Sequence, residues 1–571
     1  MFSFKKASVF LIIFGALLLP LFWVKASDSL GQSRVFFVEE SFDANKRLQV
    51  SATLKTISNN GYFYVEDDWY RGLTEEQQRA FDSGLSTLVN EFEITIYPQL
   101  TTIYGAEWKP GIDNDTRVAV LMHQMKEGAA GYFRTKDEMP AIQAPGSNER
   151  EMVYLNAHAP FYDLAKSYLA HEFTHLITYN QKDRLRGVEE EVWLNEARAE
   201  YAPTLLGYND EYQGSYLEQR VRGFVDNPRD PITEWNETEE DYGALDVFMS
   251  YFTERYGVGV LADSLKSKLT GIASLNASLK KYGFDKGFAQ IFTDWTIAVF
   301  LNNCSLGPDY CFQKYDLQKI KVAPSLVLLP NIQESNFGLV YPAKAWAGYW
   351  YRFMGGRGKL DLQFQGDSRV VFTVPYVLCS SANKCSVDYL KLDQSGMGQL
   401  SFANFSQDFS SLTLIPSIQS KTSGFDGPEP TYNFSLLLKT KDEEGEARLI
   451  AQLQQQLAEL QDKIAQIRAQ ITQLLAQKNQ PADCQAAFEQ GLRLGASGNS
   501  VKCLQAFLAG QGSAIYPESI VSGFFGTLTE QAVTRFQAKY ASEILAPLGL
   551  TNPTGIVGPA TLAKIKKLSV L

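Results

Sequence analysis

Histidine and net positive charge are both scarce in this chain. Four of its 571 residues are histidine, and the formal net charge is -11 at pH 7. The negative balance argues against a nucleic-acid-binding surface. The six cysteines include no CxxC pair, so a cysteine-ligated zinc knuckle is not expected. Beyond Ala26, no stretch is long and apolar enough to cross a membrane. The chain is too long for a single core, and about two to four domains are expected.

Two of the four histidines stand four residues apart, in the stretch LAHEFTHLITYN. Positions i and i+4 share one face of a helix, so His171 and His175 can hold one metal ion. Glu172, between them, can act as a general base toward a water molecule at that ion. Imidazole and carboxylate ligands suit Zn²⁺. The other two histidines, His123 and His158, are predicted to be structural.

A catalytic zinc ion needs a third protein ligand, and EEEVWLNEARAEYAP supplies a candidate downstream. The gap between His175 and Glu196 leaves room for a turn and a second helix that returns to the metal. Glu200 lies one helical turn further on the same face, where it can accept the other N–H of a ligand, predicted to be His171. The first three glutamates are predicted to be a solvated run: Glu189, Glu190 and Glu191.

Residues 34–330 mix strand-like and helix-like segments. RLQVSATLKTI and RVAVLMH alternate as strands do, whereas TEEQQRAFDSGLSTLVNEF has helical periodicity, with Thr74 in a capping position. Further helical segments, including FAQIFTDWTIAVFLNN, follow the HExxH motif. Strands first and helices later indicate an α+β fold.

HExxH followed by NExxxE resembles the motif of the thermolysin-like zinc peptidases, the gluzincins. The resemblance implies a zincin catalytic domain in which one Zn²⁺ is held by His171, His175 and Glu196, with Glu172 as the base. Glu200 stands where thermolysin itself has Asp. The phrases HEFTHLI, WLNEARAEYA and YGALDVFMSYFTERYG are similar to the hyicolysin-type secreted metallopeptidases.

Two further features fit a peptidase. In zincins, an edge strand just before the active-site helix pairs with the extended substrate, and the backbone of Gly131, Tyr132 and Phe133 is predicted to do so here. An ordinary sheet strand with aromatic core residues is the alternative. By position and resemblance, Tyr242 in EDYGALDVF is the predicted donor to the developing oxyanion. A buried helix tyrosine is the alternative.

The residue pattern changes twice after the predicted catalytic domain. Residues 341–440 carry short alternating runs between turn residues, which predict a β-sandwich domain. Residues 442–480 then hold four unbroken heptads, which predict a coiled coil and a homo-oligomer, although one amphipathic helix packed on a neighbouring domain is the alternative. Position a holds Ile450, Leu457, Ile464 and Ile471, and position d holds Leu453, Leu460, Ile467 and Leu474.

The last region, 484–571, reads as a small all-α domain. It contains LGASGNSVKCLQAFL, then VSGFFGTLTEQAVTRFQAKY, then TGIVGPATLAKI. These phrases resemble the bacterial peptidoglycan-binding domain of the three-helix type. The resemblance implies that peptidoglycan is a partner, although such domains do not always bind the wall.

The segment 1–26 has the features of a targeting sequence. Lys5 and Lys6 precede the apolar run ASVFLIIFGALLLPLFWV, and the small residues Val24 and Ala26 predict a secretory signal that is cleaved after Ala26. An uncleaved membrane anchor is the alternative, because the apolar run nearly spans a bilayer. Both interpretations place the protein outside the cell or on its envelope.

The cysteines fall into three local pairs, which favours an oxidising compartment. Three disulfides are predicted, and six unpaired buried thiols are the alternative. The pairs are Cys304 with Cys311, Cys379 with Cys385, and Cys484 with Cys503.

Together these features predict a secreted zinc endopeptidase that acts on a protein or peptide. The β-sandwich would support the catalytic domain, the coiled coil would space or dimerise it, and the terminal domain would tether it to a bacterial envelope. One alternative is a peptidoglycan hydrolase that uses the same zinc site, which the terminal domain favours. The other is a surface adhesin with an inactive peptidase module, against which the intact Glu172 argues.

Overall fold

The chain folds into a mixed α/β multidomain protein. The computed structural model describes residues 27–161, 164–425, 427–441, 447–478, 484 and 487–569. It divides the chain into two compact units, Met1–Gly445 and Glu446–Leu571. The predicted signal or anchor segment lies outside the described residues. Within the described part of the chain, none of the helices combines the length and the apolar character needed to span a membrane.

The first unit begins with a six-stranded sheet of order β1-β2-β3-β4-β6-β5. Strands β3, β4 and β6 run parallel, and β5 returns antiparallel to β6 at the edge of the sheet. The strands are β1 Ser33–Phe37, β2 Gln49–Ile57, β3 Gly61–Glu66, β4 Val118–His123, β5 Gly131–Phe133 and β6 Met152–Asn156.

Ten α-helices follow or interrupt this sheet in the described part of the chain up to Leu301. They are α1 Asp67–Arg71, α2 Glu75–Glu91, α3 Tyr97–Tyr104, α4 Ala165–Tyr179, α5 Val192–Leu205, α6 Tyr216–Asp226, α7 Glu239–Tyr256, α8 Val258–Leu265, α9 Gly271–Lys281 and α10 Phe288–Leu301. Thr74 caps α2 as predicted, in a reciprocal capping box with Gln77. The helix with the HExxH motif, α4, packs on β5, β6 and α5, and Leu169, Phe173 and Leu176 have no solvent exposure. Because these side chains are tightly packed, α4 cannot rotate about its axis, and the orientation of the HExxH side chains is fixed.

Residues 325–441 form mainly antiparallel sheets. One sheet has the order β14-β10-β17-β8, a second has the order β13-β12-β15-β9-β7, and β11 pairs with β16. The elements are β7 Ser325–Leu329, β8 Glu334–Ala343, β9 Tyr351–Gly355, β10 Lys359–Gly366, β11 Phe372–Thr373, β12 Pro375–Cys379, β13 Cys385–Tyr389, β14 Met397–Phe402, α11 Phe405–Asp408, β15 Ser411–Leu414, β16 Ser417–Ile418 and β17 Tyr432–Lys441. Residues alternate between buried and more exposed along β10 and β17, but the sandwich architecture stays a prediction.

The start of this β-rich region differs from the predicted boundary at 341. Strand β7 lies within the predicted catalytic domain, yet it pairs in parallel with β9. The reason is local: SLVLL is a short apolar strand that follows a turn-rich segment, and it completes the edge of the second sheet. Strand β7 therefore belongs to the β-rich region by its pairing, although the predicted catalytic domain included it.

The β-rich region packs directly on the helices of the first unit. Trp346 is 1% exposed, and its ring lies 5.0 Å from Phe288 and 5.3 Å from Phe292 on α10. The indole nitrogen of Trp350 donates to the carbonyl of Thr296, on the same helix, at 2.9 Å. Shared aromatic packing and buried hydrogen bonds explain why both regions belong to one compact unit.

The structure contains the three disulfides that the spacing predicts. They are Cys304–Cys311, Cys379–Cys385 and Cys484–Cys503. The first two close short loops in the first unit, and the third lies in the second unit. Three disulfides agree with an oxidising compartment.

The predicted heptads lie on one 32-residue helix, α12 Ala447–Lys478. Its apolar positions with described side chains are between 45% and 57% exposed; they are Leu453, Leu457, Leu460, Ile464, Ile467 and Ile471. The side chains of Ile450 and Leu474 lie outside the described residues. An exposed apolar stripe of this kind is the surface that a coiled-coil partner covers.

We expect the intact chain to sediment as a dimer or higher oligomer. Replacing Leu460 and Ile464 by glutamate should convert it to a monomer, because two charges would enter the apolar seam. Sedimentation velocity measures the change. Ala458→Glu with Gln466→Glu adds the same charge on another face of α12 and is the matched control. A parent chain that is monomeric at all concentrations would make α12 a lone spacer.

The end of the second unit is helical and internally repeated. Its helices are α13 Asn499–Gly510, α14 Thr527–Lys539, α15 Ala541–Ile544 and α16 Pro559–Ser569. Gln505 on α13 bonds partners 18, 19 and 24 residues further on. Gln537 on α14 repeats the three spacings. Each buried amide thus ties a helix to the glycine turn and to the next helix.

Candidate metal centre

Three side chains from two packed helices converge on one point. His171 and His175 lie on α4, with their Nε2 atoms 3.0 Å apart. The Oε2 atom of Glu196, on α5, is 3.4 Å from His171 Nε2 and 3.5 Å from His175 Nε2. The three ligating atoms lie within 4.8 Å of one another. The i, i+4 spacing places both imidazoles on the face of α4 that α5 covers.

The remaining ring nitrogen of each histidine lies beside a side-chain oxygen atom. His171 Nδ1 lies 3.0 Å from Glu200 Oε1, and His175 Nδ1 lies 3.1 Å from Asn195 Oδ1. Acceptors at Nδ1 keep each Nε2 free for a metal ion. Glu196 Oε2 is buried and receives no hydrogen bond from the described residues. The donor set of two imidazoles and one carboxylate therefore fits Zn²⁺.

Glu200 is held by two groups that the sequence analysis did not single out. Arg220 Nε donates to its carboxylate at 2.6 Å, and the Tyr216 hydroxyl donates at 2.8 Å. Burial would raise the pKa of Glu200, but the charges of Arg220 and His171 hold it below the ordinary value. Glu200 thus stays ionised beside His171. Tyr216 and Arg220 are one turn apart on α6, a spacing that the sequence offers but does not connect to α5.

Glu172 lies beside the ligands without belonging to the converging set. It is 6% exposed, and burial raises the pKa of its carboxyl to about 7 despite the neighbouring imidazoles. A group with this pKa can take up and release a proton near neutral pH. A Cβ atom at Gly131 would come within 2.8 Å of its Cγ and Oε1 atoms. Strand β5 therefore runs directly against the carboxylate.

The predicted substrate strand forms the edge of its sheet. β5 consists of the three residues Gly131, Tyr132 and Phe133, and among the described strands it pairs with β6 alone. Phe133 lies toward α4, with its ring 6.1 Å from that of Tyr179. The Tyr132 side chain lies on the other face, where its hydroxyl is 3.0 Å from His123 Nε2. The Tyr132 side chain therefore does not face α4, and the backbone of β5 lies at the free edge of the sheet.

Tyr242 lies on α7 beside the same site. Its ring centre is 6.4 Å from that of His171, and the guanidinium of Arg220 sits 4.5 Å from the ring. Burial, followed by the charge of Glu196, raises the pKa of the Tyr242 hydroxyl well above its ordinary value. The hydroxyl therefore keeps its proton at neutral pH and can donate it in a hydrogen bond.

Comparison with known proteins adds one family match. Residues 497–565 match a peptidoglycan-binding family. Its description is "Putative peptidoglycan binding domain". The match covers the helices α13, α14 and α15 and the first part of α16.

One curated relative carries the word metalloprotease in its name. The neutral metalloprotease ShpI of Staphylococcus hyicus is 25% identical over 197 residues, which are 31% of this chain and 41% of ShpI. The chain thus spans about two fifths of the length of that relative. The similarity supports a metal-dependent peptidase. It does not show that the chain is thermolysin-like.

Solved structures match small parts of the chain. The match to the mitogen of Yersinia pseudotuberculosis covers 20% of this chain and 90% of the mitogen chain, with 12% identity and a TM-score of 0.13. The match to the periplasmic lysozyme inhibitor PliG of Aeromonas hydrophila covers 20% of this chain and 97% of the PliG chain, with 12% identity and a TM-score of 0.13. At such scores neither informs on fold or function.

His123 and His158 lie outside the converging set, as expected of structural histidines. His123 has no solvent exposure, and burial lowers the pKa of its imidazole to about 4. Its Nδ1 atom is 3.4 Å from an Asp43 oxygen. The ring of His158 packs edge-on against Trp69, with centres 5.3 Å apart.

The expected solvated run of glutamates is wrong for two of its three members. Glu190 is 7% exposed and pairs with the buried Arg198 at 2.8 Å. Glu191 accepts the indole N–H of Trp193 at 2.7 Å. Both residues directly precede α5, and the partners named here lie on that helix; the local sequence does not reveal that the helix covers them. Glu189 is exposed as expected.

Gly131→Ala tests whether β5 is a working part of this site. The added methyl group would come within 2.7 Å of the Tyr154 carbonyl oxygen and 2.8 Å of Glu172. We expect zinc binding to persist and kcat/KM on a peptide substrate to fall by about 10²-fold, because the base or the strand must move. Gly338→Ala, whose methyl group would meet only the Leu436 carbonyl at 3.9 Å, is the control. Unchanged turnover in Gly131→Ala would remove β5 from the site.

Proposed function

We propose that this chain is a secreted zinc-dependent endopeptidase of the gluzincin type, tethered to a bacterial envelope. The observation that carries the proposal is the meeting of His171, His175 and Glu196 at one point, with the Glu172 carboxylate beside it. Each of these residues comes from HExxH or from the NExxxE sequence that follows. The similarity to a neutral metalloprotease supports the same activity class.

A bound Zn²⁺ would supply a Lewis acid for the peptide carbonyl and would lower the pKa of the attacking water. The chain's own residues do the rest. His171, His175 and Glu196 hold the ion, while Glu200 and Asn195 keep the two imidazoles in the ligating orientation. Glu172 accepts the proton of the attacking water and delivers it to the leaving amine, a role that its buried position beside the ligands suits.

The substrate would lie along β5 as an added antiparallel strand. An edge strand offers backbone N–H and C=O groups to an extended peptide, which favours proteins or unfolded segments as substrates over compact ligands. Gly131 lets the substrate backbone pass close to Glu172, because it has no side chain there. The Tyr242 hydroxyl donates to the carbonyl oxygen as negative charge develops on it.

The second unit would position the enzyme rather than take part in the reaction. Helix α12 acts as a spacer or a dimerising coiled coil. The matched domain at 497–565 would bind the wall. Export directed by the segment 1–26 and three disulfides agree with such a location.

One assay separates this function from its two rivals. The purified zinc-loaded chain should hydrolyse casein, lose that activity with 1,10-phenanthroline and regain it with added Zn²⁺. Incubated with purified sacculi, it should pellet with them and release no wall peptides into the supernatant. Release of wall peptides without casein hydrolysis would favour a peptidoglycan hydrolase, and neither reaction would favour an adhesin. If the chain failed to pellet with sacculi, only the proposed tethering to the envelope would be wrong.

A further inference from the structure

Two buried glutamates face each other at the two ends of the segment that joins β5 to β6. Glu138 closes a 3₁₀ turn just after β5, and Glu151 immediately precedes β6. They are 3% and 2% exposed. Their carboxyl groups lie within hydrogen-bond distance of each other. Neither residue belongs to the candidate active site described above.

This pair lacks the donors that buried carboxylates normally have. The backbone N–H of Ile112 donates to Glu151 Oε1 at 2.7 Å. Among the described residues, no donor reaches Glu151 Oε2 or either oxygen of Glu138, and no lysine, arginine or histidine forms an ion pair with the two side chains. Buried carboxylates without a counter-charge are costly, and burial raises the pKa of Glu138 well above its ordinary value, so the pair either keeps a proton or takes up a cation.

The charges around the pair are already matched to other groups. Asp113 lies 3.3 Å from Arg150 Nε. Asp137 accepts from the Tyr154 hydroxyl at 2.5 Å and from the Asn148 N–H at 2.8 Å. Burial, followed by the charge of Asp113, raises the pKa of the Glu151 carboxyl to about 7. Two negative charges thus remain without a partner when both glutamates ionise.

We propose that Glu138 and Glu151 hold a Ca²⁺ ion. The two side chains offer four hard oxygen atoms with no nitrogen or sulfur ligand between them, which is the chemistry that Ca²⁺ prefers. One divalent ion balances the two charges, and water molecules complete the coordination. Gly111 closes the site on one side: a Cβ atom there would lie 1.8 Å from Glu151 Oε2, so the loop packs on the carboxylate only because residue 111 is glycine.

An ion at this place would join the elements that carry the substrate edge. It would clamp the end of β5 to the start of β6. Tyr179, at the end of α4, also lies within electrostatic range of both glutamates. Ca²⁺ would therefore stabilise the edge strand against the helix that carries HExxH. The consequence for substrate binding rests on the proposed function, whereas the ion site itself does not.

Thermal unfolding of the intact chain, with samples matched for zinc content, tests the site without relying on hydrolysis. Addition of 5 mM CaCl₂ should raise the Tm of the parent chain by about 5 °C, and MgCl₂ should raise it less. The double variant Glu138→Gln with Glu151→Gln should fold and show no response to Ca²⁺. Glu76→Gln, at an exposed position on α2, should respond as the parent chain does.

Terbium luminescence gives a second readout on the same proteins. Tb³⁺ substitutes for Ca²⁺ at oxygen sites, and Tyr179, which lies within electrostatic range of both glutamates, would sensitise its emission. The parent chain should show saturable emission that Ca²⁺ displaces, and the double variant should lose it. An equal Ca²⁺ response in parent and double variant, or none in the parent, would overturn the proposal; the second result would mean that the two carboxyls share a proton instead.

Discussion

Glu172→Gln should retain zinc and lose most of its hydrolytic activity. The amide has nearly the same shape as the carboxylate, so the ligands His171 and His175 on either side of it keep their positions. It cannot accept the proton of the attacking water, and loss of a general base typically costs about 10²–10⁴-fold in rate. Zinc content by mass spectrometry and kcat/KM on a casein-derived peptide measure the two effects separately.

The control for this experiment is Glu189→Gln. Glu189 is exposed and precedes α5, so the same chemical change there should alter neither zinc content nor turnover. If Glu172→Gln kept full activity, the base would be a different group and the proposed mechanism would be wrong. If it lost zinc as well as activity, the fall in rate would no longer report on proton transfer.

The candidate site was accessible to sequence reasoning because most of it depends on one helix period. His171 and His175 share a face of α4 wherever that helix packs, and Glu196 and Glu200 share a face of α5 in the same way. The gap between the helices is short enough to bring the second back along the first. Local periodicity and one turn therefore predict that His171, His175 and Glu196 converge, with Glu172 and Glu200 beside them.

The residues that the sequence did not reveal all come from other elements or lack a distinctive pattern. Arg220 reaches Glu200 from α6, and its role depends on the packing of α6 against α7, which no local pattern encodes. The role of Asn195 is not evident from the sequence although it adjoins Glu196, because an amide beside a ligand has no distinctive spacing. The burial of Glu190 is equally hidden, because its counter-charges, Lys182 and Arg198, lie on either side of it along the chain, and packing decides whether they pair.

The start of the β-rich region is not evident from the sequence. Alternating strands indicated the β-rich region, but SLVLL at 325–329 is a short apolar segment whose pairing with β9 is set by tertiary contacts. Trp346 then packs on α10 as core residues do. A tryptophan in a strand-rich segment does not reveal which neighbour will cover it. The β-rich region and the helices consequently share one compact unit.

Glu196→Ala and Glu200→Ala should separate a ligand from the residue that orients one. Loss of Glu196 leaves two imidazoles, which make a poor zinc site, so the purified variant should contain little zinc and show no hydrolysis. Loss of Glu200 leaves all three ligands but frees the Nδ1 side of His171, and zinc affinity should weaken about 10–100-fold. Competition with a chromophoric chelator measures both affinities, and Glu189→Ala is the control.

If Glu196→Ala bound zinc as tightly as the parent chain, the third ligand would have to come from elsewhere. Glu200 would be tested next, since Glu191 is occupied by the Trp193 indole.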